Sequence, residues 1–204
     1  MEYSIRSNGN KLFWISKRLF DLIVCLLLLP LLFIVSIFLL FLNPFYNAGR
    51  LIFIQERMGK NCEAFIAIKF RTMSHIKEIT RKYDEPIEID RITPLGRILR
   101  RARIDELPQI LNVLKGDMSL IGPRPDYYDH ALEYIQNIEG YCERYSIRPG
   151  ITGLSQVRLG YVESLEAISK KVTTDNYYIQ NVSYLSELKI IFSTIIVIFR
   201  GRGK

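Results

Sequence analysis

The sequence predicts an α+β protein, mostly helical, with an N-terminal re-entrant membrane helix, a small β-hairpin and amphipathic interfacial helices. Three observations predict this class: an uncharged apolar run near the N-terminus, two β-rich runs around a turn composition, and apolar residues at helical spacing further along. A chain of 204 residues accommodates one domain and a membrane anchor. We divide it into 1–45, the N-terminal segment with its membrane helix, and 46–204, a folded domain ending in an interfacial helix.

The apolar run extends from Leu22 to Leu42 without a charged residue. As a helix it would be about 30 Å long, which matches the hydrocarbon core of a bilayer. Pro30 removes a backbone donor near the middle of the run, so a kink is expected there. Basic residues flank the run on both sides, and this favours a re-entrant hairpin over a full span. Asp21, at the edge of the run, is expected to pair with a basic neighbour or with backbone.

The rest of the chain alternates regular segments with turns. Runs at 51–55 and 64–70 predict a β-hairpin, and the charged, aperiodic segment from Ser74 to Arg91 indicates a surface loop with some helix. An amphipathic helix is predicted from near Asp105 to Gly116, and Pro/Gly-rich turns follow at 118–125 and 148–153. Further helices are predicted at Tyr127–Tyr145, Ser164–Gln180 and Ile190–Phe199, the last either interfacial or packed on the core.

The net charge of +7 suits a polyanionic partner, which could be nucleic acid, an acidic membrane surface or a phosphate-bearing substrate. Nucleic acid is disfavoured, because the arginines lack interleaved aromatic residues and the apolar run tethers the chain to lipid. The cysteines are not closely paired, and neither His75 nor His130 has a cysteine neighbour at ligand spacing. A disulfide framework and a zinc site are therefore not expected.

Asp105 and Glu106 are the candidates for chemistry. One interpretation makes Asp105 a helix N-cap and Glu106 a favourable charge near the helix dipole. In the other, one carboxylate attacks phosphorus while its neighbour binds a divalent cation. Arg124 and Arg148 stand on stiff turns that suit a substrate clamp, or they are solvated turn residues. Other arginines precede the carboxylates and could bind phosphate or rest on lipid headgroups: Arg97, Arg100, Arg101 and Arg103.

Several motifs in one order resemble the bacterial sugar transferases of the monotopic phosphoglycosyl transferase family. They cover nearly the whole chain: KRLFD at 17–21, KFRTM at 69–73, RIDELPQ at 103–109, NVLKGDMSLIGPRP at 112–125, RPGITG at 148–153 and DNYYIQNVS at 175–183. The sequence departs from many members at three places. It has Leu29 where they have a serine before the helix-breaking proline, Leu154 where they have an aromatic residue, and Arg158-Leu159 where they have asparagine or serine with glycine.

The resemblance implies a site at the cytoplasmic face of the bacterial inner membrane, near anionic lipid. There Asp105 would attack a UDP-sugar, release UMP and carry a phosphosugar that undecaprenyl phosphate then accepts, the first membrane step of a surface glycan pathway. Glu106 would hold Mg²⁺. The substrate-binding residues that it implies are Lys69, Arg100, Arg124 and Arg148. The alternative is a non-catalytic membrane protein that binds lipid or a partner through its basic face and needs neither carboxylate.

Overall fold

The computed structural model describes residues 7–74, 88–160 and 164–199. Within these ranges the chain is mostly helical with short strands, as predicted. The helices are α1 (Lys11–Tyr46), α2 (Pro94–Arg101), α3 (Gln109–Lys115), α4 (Tyr128–Asn137), α5 (Leu154–Leu159), α6 (Leu165–Gln180) and α7 (Tyr184–Phe199). The strands are β1 (Ile52–Met58), β2 (Ala64–Phe70), β3 (Ser119–Ile121) and β4 (Gly150–Thr152), and 3₁₀ turns occur at Lys60–Cys62, Ile89–Arg91, Ile104–Glu106 and Cys142–Tyr145.

Helix α1 is long and apolar enough to cross a membrane, and it contains the whole predicted run. Asn10 caps its N-terminus, because the Asn10 side chain accepts a hydrogen bond from the backbone N–H of Phe13 (2.8 Å). The helix continues through Pro30, so this proline does not end it. Opposite its packed face, α1 exposes large apolar side chains, among them Leu12, Leu19, Leu27, Phe33, Phe38 and Phe41.

Both ends of α1 are attached to the remainder of the fold. Near the N-terminal end, the Asp21 carboxylate accepts hydrogen bonds from the Ser119 hydroxyl (2.7 Å) and the Leu120 N–H (3.2 Å). This confirms the expected pairing of Asp21 with backbone. Near the C-terminal end, Leu39 is buried in a cluster with Phe70 of β2 and with Leu95 and Leu99 of α2. One face of α1 therefore follows the rest of the protein along most of its length.

The hairpin of β1 and β2 is confirmed, and it runs from the pair Ile52–Phe70 to the pair Met58–Ala64. Asn112 fastens α3 to it. The Asn112 side chain accepts from the N–H of Ile68 (3.0 Å) and donates to the carbonyl of Ile66 (2.7 Å), and it is almost fully buried. A side-chain amide can bond to a strand edge in this way because it offers a donor and an acceptor side by side.

Asn112→Ala is expected to lower the free energy of unfolding by about 2 kcal/mol or more, because it removes a buried side chain and leaves the partly buried N–H of Ile68 and carbonyl of Ile66 without their partners. Thermal or urea unfolding would measure the loss. Asn137→Ala is the matched control, since Asn137 donates only to the carbonyl of Glu133 on the exposed surface of α4. Equal losses in the two variants would contradict the role assigned to Asn112.

The parallel pair of β3 and β4 was not predicted, because both strands lie in Pro/Gly-rich segments that we interpreted as rigid turns. Ser119 pairs with Gly150 and Ile121 with Thr152. A Cβ on Gly150 would overlap the backbone of Gly122, so glycine allows the two chains to approach this closely. The pairing joins the segment that carries Arg124 to the one that carries Arg148.

Several helix boundaries differ from the prediction. The helix expected from Asp105 is a 3₁₀ turn followed by α3, which ends at Gly116 as predicted. The helix expected over Tyr127–Tyr145 is divided into α4 and a 3₁₀ turn, because Gly140 adopts a left-handed φ of 71° between them. Helix α6 agrees with the prediction and is capped by Ser164. Most of the loop expected over Ser74–Arg91 lies outside the described residues.

Helix α7 starts earlier than the predicted Ile190 and packs Ile190 against the core, whereas its other face exposes apolar side chains such as Leu185, Leu188 and Phe192. Packing on the core is therefore confirmed at Ile190, and the interfacial position of this helix stays a prediction. A buried ion pair between Lys17 and Glu187 connects α7 to α1. The two helices with the largest exposed apolar surfaces are thus held together.

Candidate active site

Asp105 and Glu106 lie on the 3₁₀ turn between α2 and α3. Arg103, directly before the turn, adopts a left-handed conformation (φ 58°), which is uncommon for a residue with a side chain. Both carboxylates are buried, with 9% of Asp105 and 5% of Glu106 exposed. Burying two adjacent carboxylates is costly unless cations or hydrogen-bond donors compensate them.

Glu106 is compensated by cations from three parts of the chain. The Lys69 ammonium lies 2.9 Å from its Oε1, both Nη atoms of Arg124 donate to it, and Arg103 Nη1 lies 3.5 Å from its Oε2. Burial alone would raise the pKa of Glu106, but the charges of Arg124 and Lys69 hold this pKa well below its ordinary value. Glu106 is therefore ionised at neutral pH.

Asp105 has a different environment. Its Oδ1 is buried and has no hydrogen-bond partner, and it caps neither the 3₁₀ turn nor α3, so the N-cap interpretation is wrong. Burial, and then the charge of Glu106, raise the pKa of Asp105, against the opposing charges of Lys69 and Arg124. The neighbouring carboxyls thus have pKa values shifted in opposite directions, an arrangement typical of functional sites.

The structure brings two predicted binding residues into contact with Glu106 and a third, Arg100, close enough for its charge to act on Asp105. Lys69 comes from β2 and Arg124 from the turn after β3, and both bind Glu106. Arg100 on α2 donates from its Nε to the Thr72 hydroxyl (2.9 Å), and its charge opposes the rise in the pKa of Asp105. These side chains are far apart in sequence and converge through the packing of β2, α2 and β3 around one turn.

A comparison with protein families matches residues 12–201 to the bacterial sugar transferase family. The chain belongs to this family. It is 40% identical, over 88% of its length, to a UDP-glucose:undecaprenyl-phosphate glucose-1-phosphate transferase of Caulobacter vibrioides. It is 37% identical, over 92% of its length, to a UDP-N-acetylgalactosamine-undecaprenyl-phosphate N-acetylgalactosaminephosphotransferase of Aeromonas hydrophila. An exopolysaccharide production protein PSS of Rhizobium leguminosarum is 36% identical over 92% of the chain.

The relatives differ in length. This sugar transferase chain spans 44% of the Aeromonas protein, 68% of the Caulobacter protein and 97% of the Rhizobium protein. The residues that match the family, 12–201, include both carboxylates and the cations around them. Membrane association agrees with the long apolar helix α1.

Arg148, the fourth predicted binding residue of the sugar transferase, lies at the C-terminal end of α3 and not beside the two carboxylates. Its Nε donates to the carbonyl of Gly116 (2.8 Å), at the C-terminal end of α3, and it lines a cavity of about 270 Å³ with Trp14, Arg18 and Asp21. It makes no ion pair with either carboxylate among the described residues. Substrate binding by Arg148 stays a prediction, and in the structure its positive charge lies at the carbonyl end of α3, where the helix dipole favours it.

Arg57 is a residue of the site that sequence reasoning missed. It lines a narrow cleft with Lys69, Gln109 and Arg124, and its Nη1 donates to the carbonyl of Pro125 (2.9 Å). Burial, and then the charge of Arg124, lower the pKa of Arg57 to about 10. The alternation of side chains along the strands could have indicated Arg57, because in the hairpin register Arg57 and Lys69 lie on the same face of the sheet.

The family resemblance implies Mg²⁺, which proteins usually bind through one or two carboxylates together with substrate phosphates and water. Within the described ranges, no three His, Cys, Asp or Glu side chains are grouped to hold a metal. The buried carboxylate of Glu106, whose pKa is held well below its ordinary value, nevertheless fits as a ligand of an ion that arrives with a phosphate. Glu106 would exchange Lys69 and Arg124 for that ion, which frees both cations to bind phosphate.

Proposed function

We propose that this sugar transferase moves a sugar-1-phosphate from a UDP-sugar to undecaprenyl phosphate and releases UMP, as the first membrane step of a surface glycan pathway. The observation that carries the proposal is the buried pair of carboxylates, in which Glu106 is surrounded by cations and Asp105 keeps an oxygen without a partner. The names of the relatives from Aeromonas and Caulobacter support the same class of reaction.

In the proposed first step, a carboxylate oxygen of Asp105 attacks the β-phosphorus of the UDP-sugar. The bond between this phosphorus and the oxygen that bridges it to the α-phosphorus breaks, and UMP leaves with the bridging oxygen. The phosphosugar remains on Asp105 as an acyl phosphate. A carboxylate with a raised pKa is more basic, and one without hydrogen bonds has an oxygen available for attack, which supports Asp105 as the nucleophile.

In the second step, a phosphate oxygen of undecaprenyl phosphate attacks the same phosphorus. The bond to Asp105 breaks, its carboxylate is regenerated, and a polyprenyl diphosphate sugar is released. Lys69 and the fork of Arg124 would bind the phosphate oxygens in both steps and offset the charge that accumulates on them. Mg²⁺, held by Glu106, would supply further neutralisation of the diphosphate.

The proposal places the site on the cytoplasmic face of the inner membrane, with α1 re-entrant. A straight span would carry one end of α1 away from the folded domain, to the other side of the bilayer. Both ends of the apolar run instead contact that domain, through Asp21 and Ser119 at one end and through the packing of Leu39 against Phe70 and Leu95 at the other. The exposed apolar face of α1 would then contact lipid, together with that of α7.

Cysteine labelling would test the topology. Asn8→Cys, before α1, and Glu166→Cys, on α6, would be introduced singly after replacement of the native cysteines. We expect an impermeant thiol reagent to label both positions in inverted membrane vesicles and neither in intact spheroplasts. Labelling of the two positions from opposite sides would contradict a re-entrant helix and would favour a full span.

Binding of UDP is expected to weaken as the pH rises through about 8, because burial lowers the pKa of Lys69 to about 8 and the lysine loses its charge above this value. The dissociation constant, measured by calorimetry at several pH values, should rise most steeply near that pH. In Lys69→Met, UDP binding should be weaker at neutral pH and should lack this dependence. An unchanged pH dependence in Lys69→Met would contradict the role of Lys69.

A panel of UDP-sugars would test the function itself. Purified protein is incubated with Mg²⁺, undecaprenyl phosphate and each donor in turn, and UMP is measured. At least one donor is expected to yield UMP together with a lipid-linked phosphosugar. If folded protein releases no UMP from any donor, the reaction is contradicted and the non-catalytic binding protein becomes the better account.

A further inference from the structure

The turn that carries Arg124 is fixed through its backbone carbonyls. Two prolines flank Arg124 and supply no N–H groups, so carbonyls are the main backbone groups through which the turn is held. Each carbonyl from 123 to 126 accepts a hydrogen bond, at 2.9 Å for the first three and 3.0 Å for the fourth. The donors, in order along the turn, are Gly150 N, Arg144 Nη2, Arg57 Nη1 and Met58 N.

Arg144, which donates to the carbonyl of Arg124 itself, is completely buried. Its guanidinium lies over the rings of both Tyr141 and Tyr145, with its carbon 5.3 and 5.1 Å from their centroids. Asp175 of α6 accepts from its Nη2 (2.8 Å) and its Nε (3.1 Å), and Asp126 accepts from its Nη1. All three nitrogens of the guanidinium therefore donate hydrogen bonds. Nη2 donates both to Asp175 and to the carbonyl of Arg124.

Stability alone does not account for so much buried charge. Burying an arginine with two carboxylates costs desolvation energy, and a buried ion pair seldom stabilises a fold more than apolar residues of similar volume would. Such a group can instead determine the position of what it contacts. Here it contacts the backbone of the residue that binds Glu106.

We propose that Arg144, oriented by Asp175, is a positioning residue for the reaction: through the carbonyl of Arg124 it sets the place from which the Arg124 guanidinium reaches Glu106 and the phosphate groups. The inference rests on the proposed function. It also gives a role to the DNYY segment of α6, which begins with Asp175 and, among the described residues, forms no ion pair with Asp105 or Glu106. If Arg144 had only a structural role, its loss would lower stability but would not change how Arg124 contributes to the reaction rate.

A double-mutant cycle separates these two roles. Single-turnover UMP release from a radiolabelled UDP-sugar is measured for wild type, Asp175→Asn, Arg124→Ala and the double variant, with unfolding temperatures alongside. We expect Asp175→Asn to lower kcat/KM roughly tenfold in the wild-type background, as loss of a supporting hydrogen bond to a site residue does. In the Arg124→Ala background it should lower kcat/KM less than about twofold, since the side chain that it positions is absent.

Glu187→Gln is the matched control. It neutralises one partner of the buried Lys17–Glu187 pair, which does not touch the turn, so it should lower the unfolding temperature and leave kcat/KM unchanged. Should Asp175→Asn fail to fold, Arg144→Lys replaces it in the cycle, because one ammonium cannot serve both Asp175 and the Arg124 carbonyl. Equal losses in both backgrounds, or no loss in the wild type, would overturn the inference. Absence of UMP release from the wild type would contradict the proposed function instead.

Discussion

Asp105→Asn is expected to reduce UMP release by roughly 10⁴-fold or more, because an amide cannot act as the nucleophile and no bypass of a covalent step is available. The substitution is nearly isosteric. It should not lower the unfolding temperature, because Oδ1 of Asp105 has no hydrogen-bond partner to lose and because burial raises the pKa of Asp105, so the folded site stabilises this carboxylate less than water does. Activity and stability are therefore expected to separate in this variant.

UMP release that persists in folded Asp105→Asn would remove Asp105 as the nucleophile. Glu106 would then become a candidate, and so would Asp117. Asp117 lies beyond the far end of α3, where it pairs with Lys115 (3.2 Å) and accepts from Asn112. Testing Asp117→Asn in parallel provides a matched carboxylate near the same helix, which is expected to retain activity.

Glu106→Gln is expected to lower both activity and stability, in contrast to the substitution next to it. Removing one partner from a buried ion pair leaves uncompensated charge and costs about 3 kcal/mol or more. Here it would leave Lys69, Arg103 and Arg124 without their shared counterion. Loss of the group proposed to hold Mg²⁺ should also reduce kcat by about 100-fold or more and raise the Mg²⁺ concentration needed for half-maximal rate.

Unfolding curves and Mg²⁺ titrations of the two variants, recorded side by side, would check this contrast. If Glu106→Gln is as stable as wild type, another group must compensate the charges of Lys69, Arg103 and Arg124. If its Mg²⁺ dependence is unchanged, Glu106 does not hold the metal. The contrast is informative because each substitution changes one oxygen to nitrogen at adjacent positions of the same 3₁₀ turn.

The sequence allowed local elements to be predicted where periodicity or composition is strong. Two β-rich runs around a turn composition predicted the hairpin, the absence of charge predicted α1, and Gly116 predicted the end of α3. The pair of β3 and β4 was missed because three-residue strands in Pro/Gly-rich segments carry no periodicity and form only through a partner distant in sequence. The extension of α7 toward Tyr184 was missed because its first turns are polar enough to interrupt the apolar run.

The site was predictable in its chemistry and less so in its geometry. Lys69 and Arg124 were named from motifs, and they converge on Glu106. The separation of Arg148 from the carboxylates depends on the parallel strand pair, which sequence does not reveal. Arg144 was overlooked because a lone arginine in a helical pattern normally faces solvent, and only the packing of α6 beside it shows that it is buried.

Mass spectrometry of the intact protein tests the central claim, covalent catalysis by Asp105, most directly. Wild type is mixed with Mg²⁺ and its UDP-sugar without undecaprenyl phosphate, and the protein mass and released UMP are measured together. We expect the mass to rise by one phosphosugar, one UMP to appear for each modified chain, and the adduct to map to Asp105 and disappear when undecaprenyl phosphate is added. UMP release that requires undecaprenyl phosphate from the start, with no adduct at any time, would contradict the account and indicate direct transfer between the substrates.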